Sequence, residues 1–343
     1  MASNPLYSHD VSSMRPYTRE HVSWPPEGSR PTSLSDLLPA ADLDWFRAWP
    51  SHLLRPPAEA EELLASSPVR RAYRDPVLFR NHATYADFLW RLHSAGMIRW
   101  TRARPGQDGE LGVFFVSKKQ PNKQRLILDT RRVNLRFRKP HGVALPSACA
   151  FSNICTHDED FVIASADIKD FFYRLGVPPS LSDYFSLPRI SATSLGLGDL
   201  EGRSLGSGEY IIPCLTVLPM GWNWSMVLAQ AVTAGALRAC GLGGELAILD
   251  RRPGVHLKSS ANLAAAGYVD NYAIIGKDKN LVDQKLDEVS NYLRQRGLDV
   301  HEEERASPHG EFVGLTFDGR RRSVRIKPRR AWRVARAIDE VIS

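Results

Sequence analysis

Two aspartates, Asp167 and Asp270, stand where acidic side chains can hold a metal ion. Asp167 follows the apolar run 161–166, and Asp270 lies between two apolar runs. Adjacent strands of one sheet can bring an acid at a strand end close to an acid at a hairpin tip. Carboxylate oxygens are the ligands that Mg²⁺ prefers in proteins. The pair therefore predicts a magnesium site, although a strand-end aspartate taken alone more often caps a loop.

The elements that must position these acids follow from the hydrophobic pattern. Residues 161–166 predict a buried strand. Residues 267–269 and 272–275 predict a tight hairpin with Asp270 and Asn271 at its turn. A following amphipathic helix is indicated by apolar residues at helical spacing, namely Val282, Leu286, Val289 and Leu293.

Upstream, the sequence predicts a helix and a second hairpin. The helix has Thr84 as its cap and Gly96 at its C-terminal end. The hairpin joins residues 112–119 to residues 125–129 and carries basic residues near its tip.

The remaining segments carry weaker patterns. Residues 1–80 are rich in Pro, Ser and Arg, which predicts a flexible extension with one short helix between Pro39 and Trp49. Residues 189–210 are rich in Gly and Ser and predict an insertion loop. Residues 312–317 predict a last strand.

The composition is that of a globular protein with a basic excess. Hydrophobic residues make up 43% of the 343 residues, and the formal net charge is +7, which favours a polyanionic partner. No segment approaches ~20 uninterrupted apolar residues and no signal-peptide core is present. We therefore expect no membrane partner and an intracellular protein, cytoplasmic or nuclear and not secreted. Because Cys149, Cys155, Cys214 and Cys240 lack CxxC spacing and a matching histidine pattern, we expect neither a structural zinc site nor a disulfide framework.

A densely basic stretch lies near the C-terminus and contains no acidic residue. One interpretation is a solvated face or tail, and the other is a strip that neutralises nucleic-acid phosphates. The residues of this predicted nucleic-acid-binding strip are Arg320, Arg321, Arg322, Arg325, Lys327, Arg329 and Arg330.

Six sequence blocks between about Thr84 and Asp318 resemble, in order, the motifs of retroelement reverse transcriptases. Any one of them could arise by chance, but six in the family's order are hard to explain otherwise. The blocks run from Ala95 to Ile98, Val116 to Asn134, Ala166 to Phe172, Leu218 to Gln230, Tyr268 to Asn271 and Phe312 to Gly314. They resemble, in turn, the family's "AGxI", "VKKK…RxxxDxRxLN", first catalytic, "LPxGxxxSxxxxQ", "YxDD" and "FLG" motifs.

The resemblance implies an α+β, right-hand polymerase fold with fingers and palm, in which a ferredoxin-like palm sheet carries helices on one face and the thumb is only begun. The implied division is a flexible extension over 1–80, fingers over 81–160, a palm over 161–311 with a fingers-type insertion at about 180–215, and a primer-grip strand with the start of the thumb over 312–343. No ribonuclease H, integrase or protease region is recognised. We therefore expect a fragment of a polyprotein or a truncated copy of a retrotransposon-like element.

The implied activity is RNA-directed DNA synthesis, in which dNTPs are added to the 3′-hydroxyl of a DNA primer on an RNA template. Two Mg²⁺ ions, which Mn²⁺ can replace, would serve the reaction. Asp167, Asp270 and Asn271 would be the catalytic residues, and the backbone carbonyl of Ile168 would join Asp167 and Asp270 as a metal ligand.

The resemblance also implies nucleotide-binding residues. Lys118 and Arg125, opposite each other on the hairpin, would hold the triphosphate. Phe172 would exclude a ribose 2′-hydroxyl, and Met220 and Gly221 would line the pocket beneath the new base pair. The primer-grip residues would be Phe312, Val313 and Gly314.

The sequence departs from the family at several positions. Asn271 replaces the second hairpin aspartate, so one negative charge is lost and metal affinity or rate should fall. Phe171 stands where a small residue is usual, and Arg305, a poor proton donor, is the only basic candidate for the lysine before the "FLG" strand. Related viral polymerases with a "GDN" box are active, which keeps catalysis plausible.

Two alternatives stay open. One is a catalytically weakened or inactive module that keeps the fold and the basic surface and only binds nucleic acid. The other is an RNA-dependent RNA polymerase, which Phe172 disfavours because such enzymes typically carry an acid at that position. The sequence sets neither the template preference nor the oligomeric state.

Overall fold

The computed structural model describes residues 14–118, 120 and 122–327. Within these residues the chain divides into two compact units, each discontinuous in sequence. The first unit comprises residues 14–35, 44–140 and 172–225, and the second comprises residues 36–43, 141–171 and 226–327.

Both units mix helices and strands. The strands are β1 Met14–Arg15, β2 Thr32–Ser33, β3 Ile98–Arg102, β4 Gly112–Ser117, β5 Gln124–Asp129, β6 Val162–Ile168, β7 Leu175–Gly176, β8 Ile190–Ser191, β9 Asp199–Leu200, β10 Arg203–Ser204, β11 Tyr210–Leu215, β12 Leu263–Tyr268, β13 Asn271–Gly276, β14 Val300–Ser307, β15 His309–Phe312, β16 Leu315–Asp318 and β17 Ser323–Ile326. The helices are Leu34–Leu37, Ala40–Arg47, Trp49–Leu53, Pro57–Ser66, His82–Ser94, Arg131–Asn134, Ala148–Ser152, Phe171–Arg174, Pro179–Ser182, Ala192–Leu195, Ser225–Ala239 and Lys279–Gln295, with a 3₁₀ turn at Gly244–Leu246.

The second unit is built around a four-stranded antiparallel sheet with the order β12-β13-β6-β14. The chain passes from β6 through the helix Ser225–Ala239 to the hairpin β12–β13, and then through the helix Lys279–Gln295 to β14. This βαββαβ succession is that of ferredoxin-like folds. The predicted ferredoxin-like sheet is therefore observed.

Both long helices of the second unit contact the same face of this sheet. Gly267 and Tyr272 are cross-strand partners, so they point to one face. Gln230 Nε2 donates to the Gly267 carbonyl at 2.9 Å, and the Tyr272 hydroxyl lies 2.7 Å from Ser290 Oγ. The prediction of helices on one face is confirmed.

The helix Lys279–Gln295 begins with a side-chain cap. Asp278 accepts hydrogen bonds from the backbone N–H groups of Asn280 and Leu281, at 2.8 and 3.2 Å. The helix buries the predicted apolar face, Val282, Leu286, Val289 and Leu293.

The opposite face of the sheet changes from apolar to polar along the strands. At one end Ile163 and Ile275 pack in a core with Phe151 and Phe317. Four positions further along β6, on the same face, stands Asp167. This face of the sheet is therefore apolar and packed at one end of the strands and polar at the other.

A second, three-stranded sheet in this unit has the order β15-β16-β17. The prediction of one continuous strand over residues 312–317 is wrong, because Val313 and Gly314 form a turn with φ of 41° and 83°. Phe312 pairs with Leu315 across this turn, so β15 and β16 form a tight hairpin.

The first unit contains the second predicted hairpin, β4–β5, in antiparallel register from Gly112↔Asp129 to Ser117↔Gln124. The predicted helix is His82–Ser94, and Gly96 follows it with φ of 67°. Its cap is Asn81, whose side chain accepts from the Ala83 N–H at 2.8 Å, so the prediction of Thr84 as the cap is wrong.

The predicted flexible extension over residues 1–80 is contradicted for residues 14–80. The predicted short helix is present as Ala40–Arg47, and Phe46 and Leu53 are buried. Met14 pairs with Val116, which makes the start of the described chain a strand of the hairpin sheet. Composition misled because the apolar residues are sparse, but several of them, such as Tyr17, Leu34 and Leu78, are buried.

The predicted linear boundaries also differ from the observed units. Residues 141–160 belong to the second unit, and residues 172–225 belong to the first. The predicted loop 189–210 contains the short strands β8, β9 and β10 and the helix Ala192–Leu195. Across the described residues, no helix has the length and apolar character needed to cross a membrane.

Candidate functional site

Asp167 lies near the C-terminal end of β6, an interior strand of the four-stranded sheet, where the face opposite the helices becomes polar. It pairs with Asn271 on β13 and with His301 on β14, so three polar residues stand side by side on neighbouring strands. Cross-strand partners project from the same face. The sheet therefore gathers Asp167, Asn271 and His301 in one row beside the turn that carries Asp270.

Hydrogen bonds fix this row. Asn271 Nδ2 donates to Asp270 Oδ1 at 2.8 Å, and His301 Nε2 donates to Asp167 Oδ1 at 2.8 Å. The Ile168 N–H donates to the Asp270 carbonyl at 2.7 Å, which ties β6 to the turn. The structure thus brings together the predicted residues Asp167, Ile168, Asp270 and Asn271.

The electrostatics of the row are those of crowded carboxylates. Burial, and then the negative charge of Asp270, raise the pKa of Asp167 to about 6, while the hydrogen bond from His301 acts in the opposite direction. The negative charge of Asp270 therefore repels that of Asp167. A cation bound between them would relieve that repulsion.

The turn that carries Asp270 has a strained backbone. The predicted turn residues were Asp270 and Asn271, but Tyr268 pairs with Asn271, so the turn is Val269–Asp270. Val269 has a φ of 57°, a value that β-branched residues rarely adopt. Such strain persists only where the surroundings hold it in place.

Two side chains of the helix Ser225–Ala239 hold this turn. Gln230 Oε1 accepts from the Val269 N–H at 2.8 Å, while its Nε2 donates to the Gly267 carbonyl. Thr233 Oγ1 donates to the Val269 carbonyl. Gln230 was noted only as a motif position and Thr233 was missed, since no linear pattern reveals a helix-to-turn contact.

His301 was also missed as a site residue. The sequence pointed to Arg305 as the only basic candidate in this segment, yet Arg305 Nη1 binds Asp287 Oδ1 at 2.7 Å instead. Register shifts in β14 between His301 and Glu304 alter the alternation that a sequence pattern assumes. The strand pairing with Asp167 is what shows that His301 belongs to the site.

The donor set around Asp167 fits a hard divalent cation. Asp167 and Asp270 offer carboxylate oxygens, and rotation of the Asn271 amide would present Oδ1 in place of Nδ2. Oxygen donors of this kind suit Mg²⁺ or Mn²⁺, and water and phosphate oxygens complete their shells. The residues present therefore fit the predicted metal.

In the first unit, Lys118 and Arg125 lie near the end of the β4–β5 hairpin. Arg125 pairs with Val116, and the Lys118 N–H donates to the Lys123 carbonyl at 2.8 Å. The sequence suggested that the two residues lie directly opposite each other. The structure instead makes them diagonal neighbours across the hairpin. Arg125 is exposed and Lys118 half-buried.

The loop that contains Met220 and Gly221 is fixed by Asn134, which lies in the second motif block. Asn134 Nδ2 donates to the Gly221 carbonyl, and the Asn223 N–H donates to Asn134 Oδ1, both at 3.0 Å. Gly221 has a φ of 113°, and a Cβ there would lie 3.0 Å from Thr130 Oγ1. Glycine is needed here for backbone conformation, while Met220 is half-buried.

Phe172 is half-buried at the start of a segment that returns to the first unit. Its neighbour Tyr173 donates its hydroxyl to the Leu126 carbonyl at 3.3 Å, which anchors this segment to β5. Phe171, the preceding residue, is buried in the second unit.

Among the predicted primer-grip residues, Phe312 is the buried last residue of β15, and Val313 and Gly314 form the β15–β16 turn. In the basic strip, Arg320, Arg321, Arg322 and Arg325 are exposed, and Arg329 and Arg330 lie outside the described residues. Several basic residues already have acidic or carbonyl partners: Arg321 with Asp318, Arg322 with Asp158, and Lys327 with Glu311.

Comparison with known proteins gives one family. The family described as "Reverse transcriptase (RNA-dependent DNA polymerase)" matches residues 116–307, which is more than half of the chain. The matched range includes both aspartates, the turn between β12 and β13, and the β4–β5 hairpin from Val116 onward. No curated protein matches the chain.

Proposed function

Because this chain belongs to the reverse transcriptase (RNA-dependent DNA polymerase) family, we propose that it extends a DNA primer on an RNA template from dNTPs, with divalent metal ions held at Asp167 and Asp270. One observation carries the proposal. Asp167 pairs with Asn271 directly beside the turn of Asp270. The same strand, β6, packs in an apolar core at its other end. A rigid sheet is the kind of support that a metal centre requires.

The metal ligands in this proposal are Asp167, Asp270 and the backbone carbonyl of Ile168, with the Asn271 amide oxygen as a neutral fourth donor. Two bound Mg²⁺ or Mn²⁺ ions would supply activation of the primer 3′-hydroxyl and stabilisation of the leaving pyrophosphate. The protein residues fix the separation of the carboxylates. His301 orients Asp167 through its hydrogen bond, and Gln230 orients the turn of Asp270.

Residues of the first unit have the chemistry needed for the nucleotide. Lys118 and Arg125 project basic groups near the same end of one hairpin, and an arginine fork makes paired hydrogen bonds to phosphate oxygens. Met220 and Gly221 would lie beneath the new base pair, on a loop that Asn134 holds in place. Phe172 would select deoxyribose by occupying the space of a 2′-hydroxyl, which makes the product DNA.

The remaining basic residues would bind the primer–template duplex. Arg320, Arg321, Arg322 and Arg325 are exposed and adjoin the β15–β16 hairpin, to which we assign the primer grip. Contacts to phosphate make binding weaken as salt rises. The family and the basic strip together are consistent with an origin in a retrotransposon-like element.

A second candidate function, a catalytically silent nucleic-acid-binding module, is favoured by the hydrogen bonds at the acids themselves. Asn271 Nδ2 donates to an oxygen of Asp270, and His301 donates to an oxygen of Asp167. Each carboxylate thus already has a protein partner, and the charge of a second hairpin aspartate is missing. A metal ion must compete with these partners.

Primer extension on a homopolymer RNA template with a DNA primer and dNTPs separates the two candidates. We expect weak extension in Mg²⁺, stronger extension in Mn²⁺, and loss of both with Asp167→Ala. Asp199→Ala, which removes an exposed acid on β9, is the matched control and should leave extension unchanged.

Duplex binding, measured by fluorescence anisotropy, completes the test. If neither the wild type nor Asn271→Asp extends a primer while both bind the duplex, the silent module is the function. If extension occurs and survives Asp167→Ala, the proposed metal centre is wrong. Preferential incorporation of ribonucleotides would instead support an RNA polymerase.

A further inference from the structure

A cysteine and two histidines that are distant in sequence meet at the surface of the second unit. The ligand atoms of Cys155, His157 and His256 all lie within 4.8 Å of one another. None of the three belongs to the polymerase site proposed above. We propose that Cys155, His157 and His256 bind a zinc ion.

The geometry of the two imidazoles fits a shared metal. His256 Nδ1 and His157 Nε2 lie 3.4 Å apart. This separation is beyond the range of about 2.7–3.2 Å that is typical of a good hydrogen bond. Two nitrogens bound to one tetrahedral zinc, with Zn–N bonds of about 2.0–2.1 Å, are separated by about 3.3–3.4 Å.

The backbone places two of the ligands before any metal binds. Cys155 and His256 form a parallel β-bridge, in which the Cys155 N–H donates to the Val255 carbonyl at 2.9 Å and the Leu257 N–H donates to the Cys155 carbonyl at 2.8 Å. Val255 and Leu257 are buried in the core, so this bridge is rooted in packed structure. The bridge therefore fixes the backbone of two of the three proposed ligands.

Two further features bring the segments together. Gly254 approaches so closely that a Cβ would lie 1.8 Å from the Asn153 carbonyl oxygen, which only glycine permits. His157 itself lies at a positive φ of 54°, in a turn where Arg322 donates to the Asp158 carbonyl. The turn directs the chain back after Cys155, so that His157 faces His256.

The ligand types favour zinc. Thiolate with imidazole suits a borderline-soft ion, whereas Mg²⁺ prefers oxygen donors. Three protein ligands leave one tetrahedral position for water. The site is therefore chemically distinct from the all-oxygen donor set at Asp167 and Asp270.

The place of the site in the fold gives the ion a role. Cys155 and His256 each stand seven residues before a strand, β6 and β12 respectively. Strand β6 leads to Asp167, and β12 leads to the turn that carries Asp270. A zinc ion would tie together the two segments from which the acid-bearing strands start, and so stabilise the folded unit by mass action.

Cobalt substitution tests the proposal directly. The chain is stripped with a chelator, kept reduced with a phosphine, and titrated with Co²⁺ while absorption is recorded. A thiolate ligand gives a cobalt charge-transfer band, which carboxylate ligands at Asp167 and Asp270 do not give. We expect one equivalent of Co²⁺ to produce this band, and Zn²⁺ to displace it.

Three variants make the test specific. Cys155→Ser should remove the band, and His256→Asn should weaken zinc binding by at least roughly tenfold. Cys149→Ser, which changes an exposed cysteine outside the cluster, should behave as wild type. Absence of the band in the wild type, or its persistence in Cys155→Ser, would overturn the proposal.

Thermal unfolding supplies an independent readout. Zinc should raise the midpoint of the wild type and of Cys149→Ser but not of Cys155→Ser, and circular dichroism before heating verifies that each variant is folded. An equal zinc-induced rise in Cys155→Ser would contradict the site.

Discussion

The second unit contains two hairpin turns that place a valine at positive φ, and they are stabilised in different ways. In the β12–β13 turn, Val269 has a φ of 57° and is held by Gln230 and Thr233 from a neighbouring helix. In the β15–β16 turn, Val313 has a φ of 41° and is followed by Gly314 at 83°. The first turn carries an acid in the second position, and the second turn carries a glycine.

The difference shows how a turn can keep a chemical group. In the second turn Gly314 adopts its positive φ without steric cost, and its carbonyl accepts from the Lys327 N–H at 3.2 Å. In the first turn the second position carries the carboxylate of Asp270, and hydrogen bonds from the helix Ser225–Ala239 hold Val269 in its strained conformation. Four predictions test this contrast.

The largest effect is expected from the acid itself. Asp270→Asn should lower metal-dependent primer extension by roughly a thousandfold or more, because metal-assisted charge stabilisation contributes several kcal/mol. Glu311→Gln makes the same change beside the other turn, where Glu311 pairs with Lys327 at an exposed surface. Its extension rate should stay within about threefold of wild type. Equal losses in both variants would show that the two turns do not differ in function.

The next effect concerns the helix that holds the first turn. Gln230→Met keeps the side-chain length but leaves the Val269 N–H and the Gly267 carbonyl without this partner. The free energy of unfolding in urea should fall by about 1–3 kcal/mol, and extension should fall with it. Thr316→Val, which removes an exposed hydrogen bond to the Arg325 carbonyl, should cost under about 0.5 kcal/mol. Matching losses would mean that Gln230 contributes no special support.

A smaller and two-signed effect is expected at Asn271. Asn271→Asp replaces the Nδ2 donor to Asp270 with a like charge, so without metal the protein should lose about 1 kcal/mol of stability. With Mg²⁺ the sign should reverse, and extension at limiting Mg²⁺ should rise about tenfold. Thermal unfolding with chelator and with Mg²⁺ measures both parts. The control Asn291→Asp, on an exposed helix position, should show neither.

The smallest effect is expected at the second turn. Val313→Gly removes steric strain but also some apolar burial, so stability should change by less than about 1 kcal/mol. Because Val313 lies in the proposed primer grip and carries no metal ligand, extension should fall only slightly. Val269→Gly should change stability by a similar amount yet lower extension, because glycine lets the turn adopt other conformations. A loss of extension in Val313→Gly as large as that in Asp270→Asn would contradict the difference between the two turns.

Local patterns in the sequence were sufficient to predict the acids and the elements that carry them. Alternating or continuous apolar runs predicted β6, the β12–β13 hairpin and the following helix, since burial on one face imposes those periods. The order of motif blocks predicted the family that matches residues 116–307.

Long-range contacts account for what could not be predicted. The β12–β13 turn was misplaced by one residue because its strained φ at Val269 depends on Gln230 and Thr233. His301 was missed because β14 has shifts in register. The contact between Cys155 and His256 was missed because a β-bridge brings them together from distant parts of the sequence. A search for closely spaced metal ligands cannot detect such a pair.

The strand β1 has a practical consequence for anyone who shortens this chain. A chain that begins at residue 81, where composition places the first domain boundary, would lose β1, one of the two partners of β4, and the ring of Tyr17 that packs against Phe88 and Phe115. An unpaired strand edge beside uncovered aromatic rings is a template for intermolecular pairing. Such a chain should be recovered mainly as aggregate, whereas one that begins before Met14 should keep its edge covered.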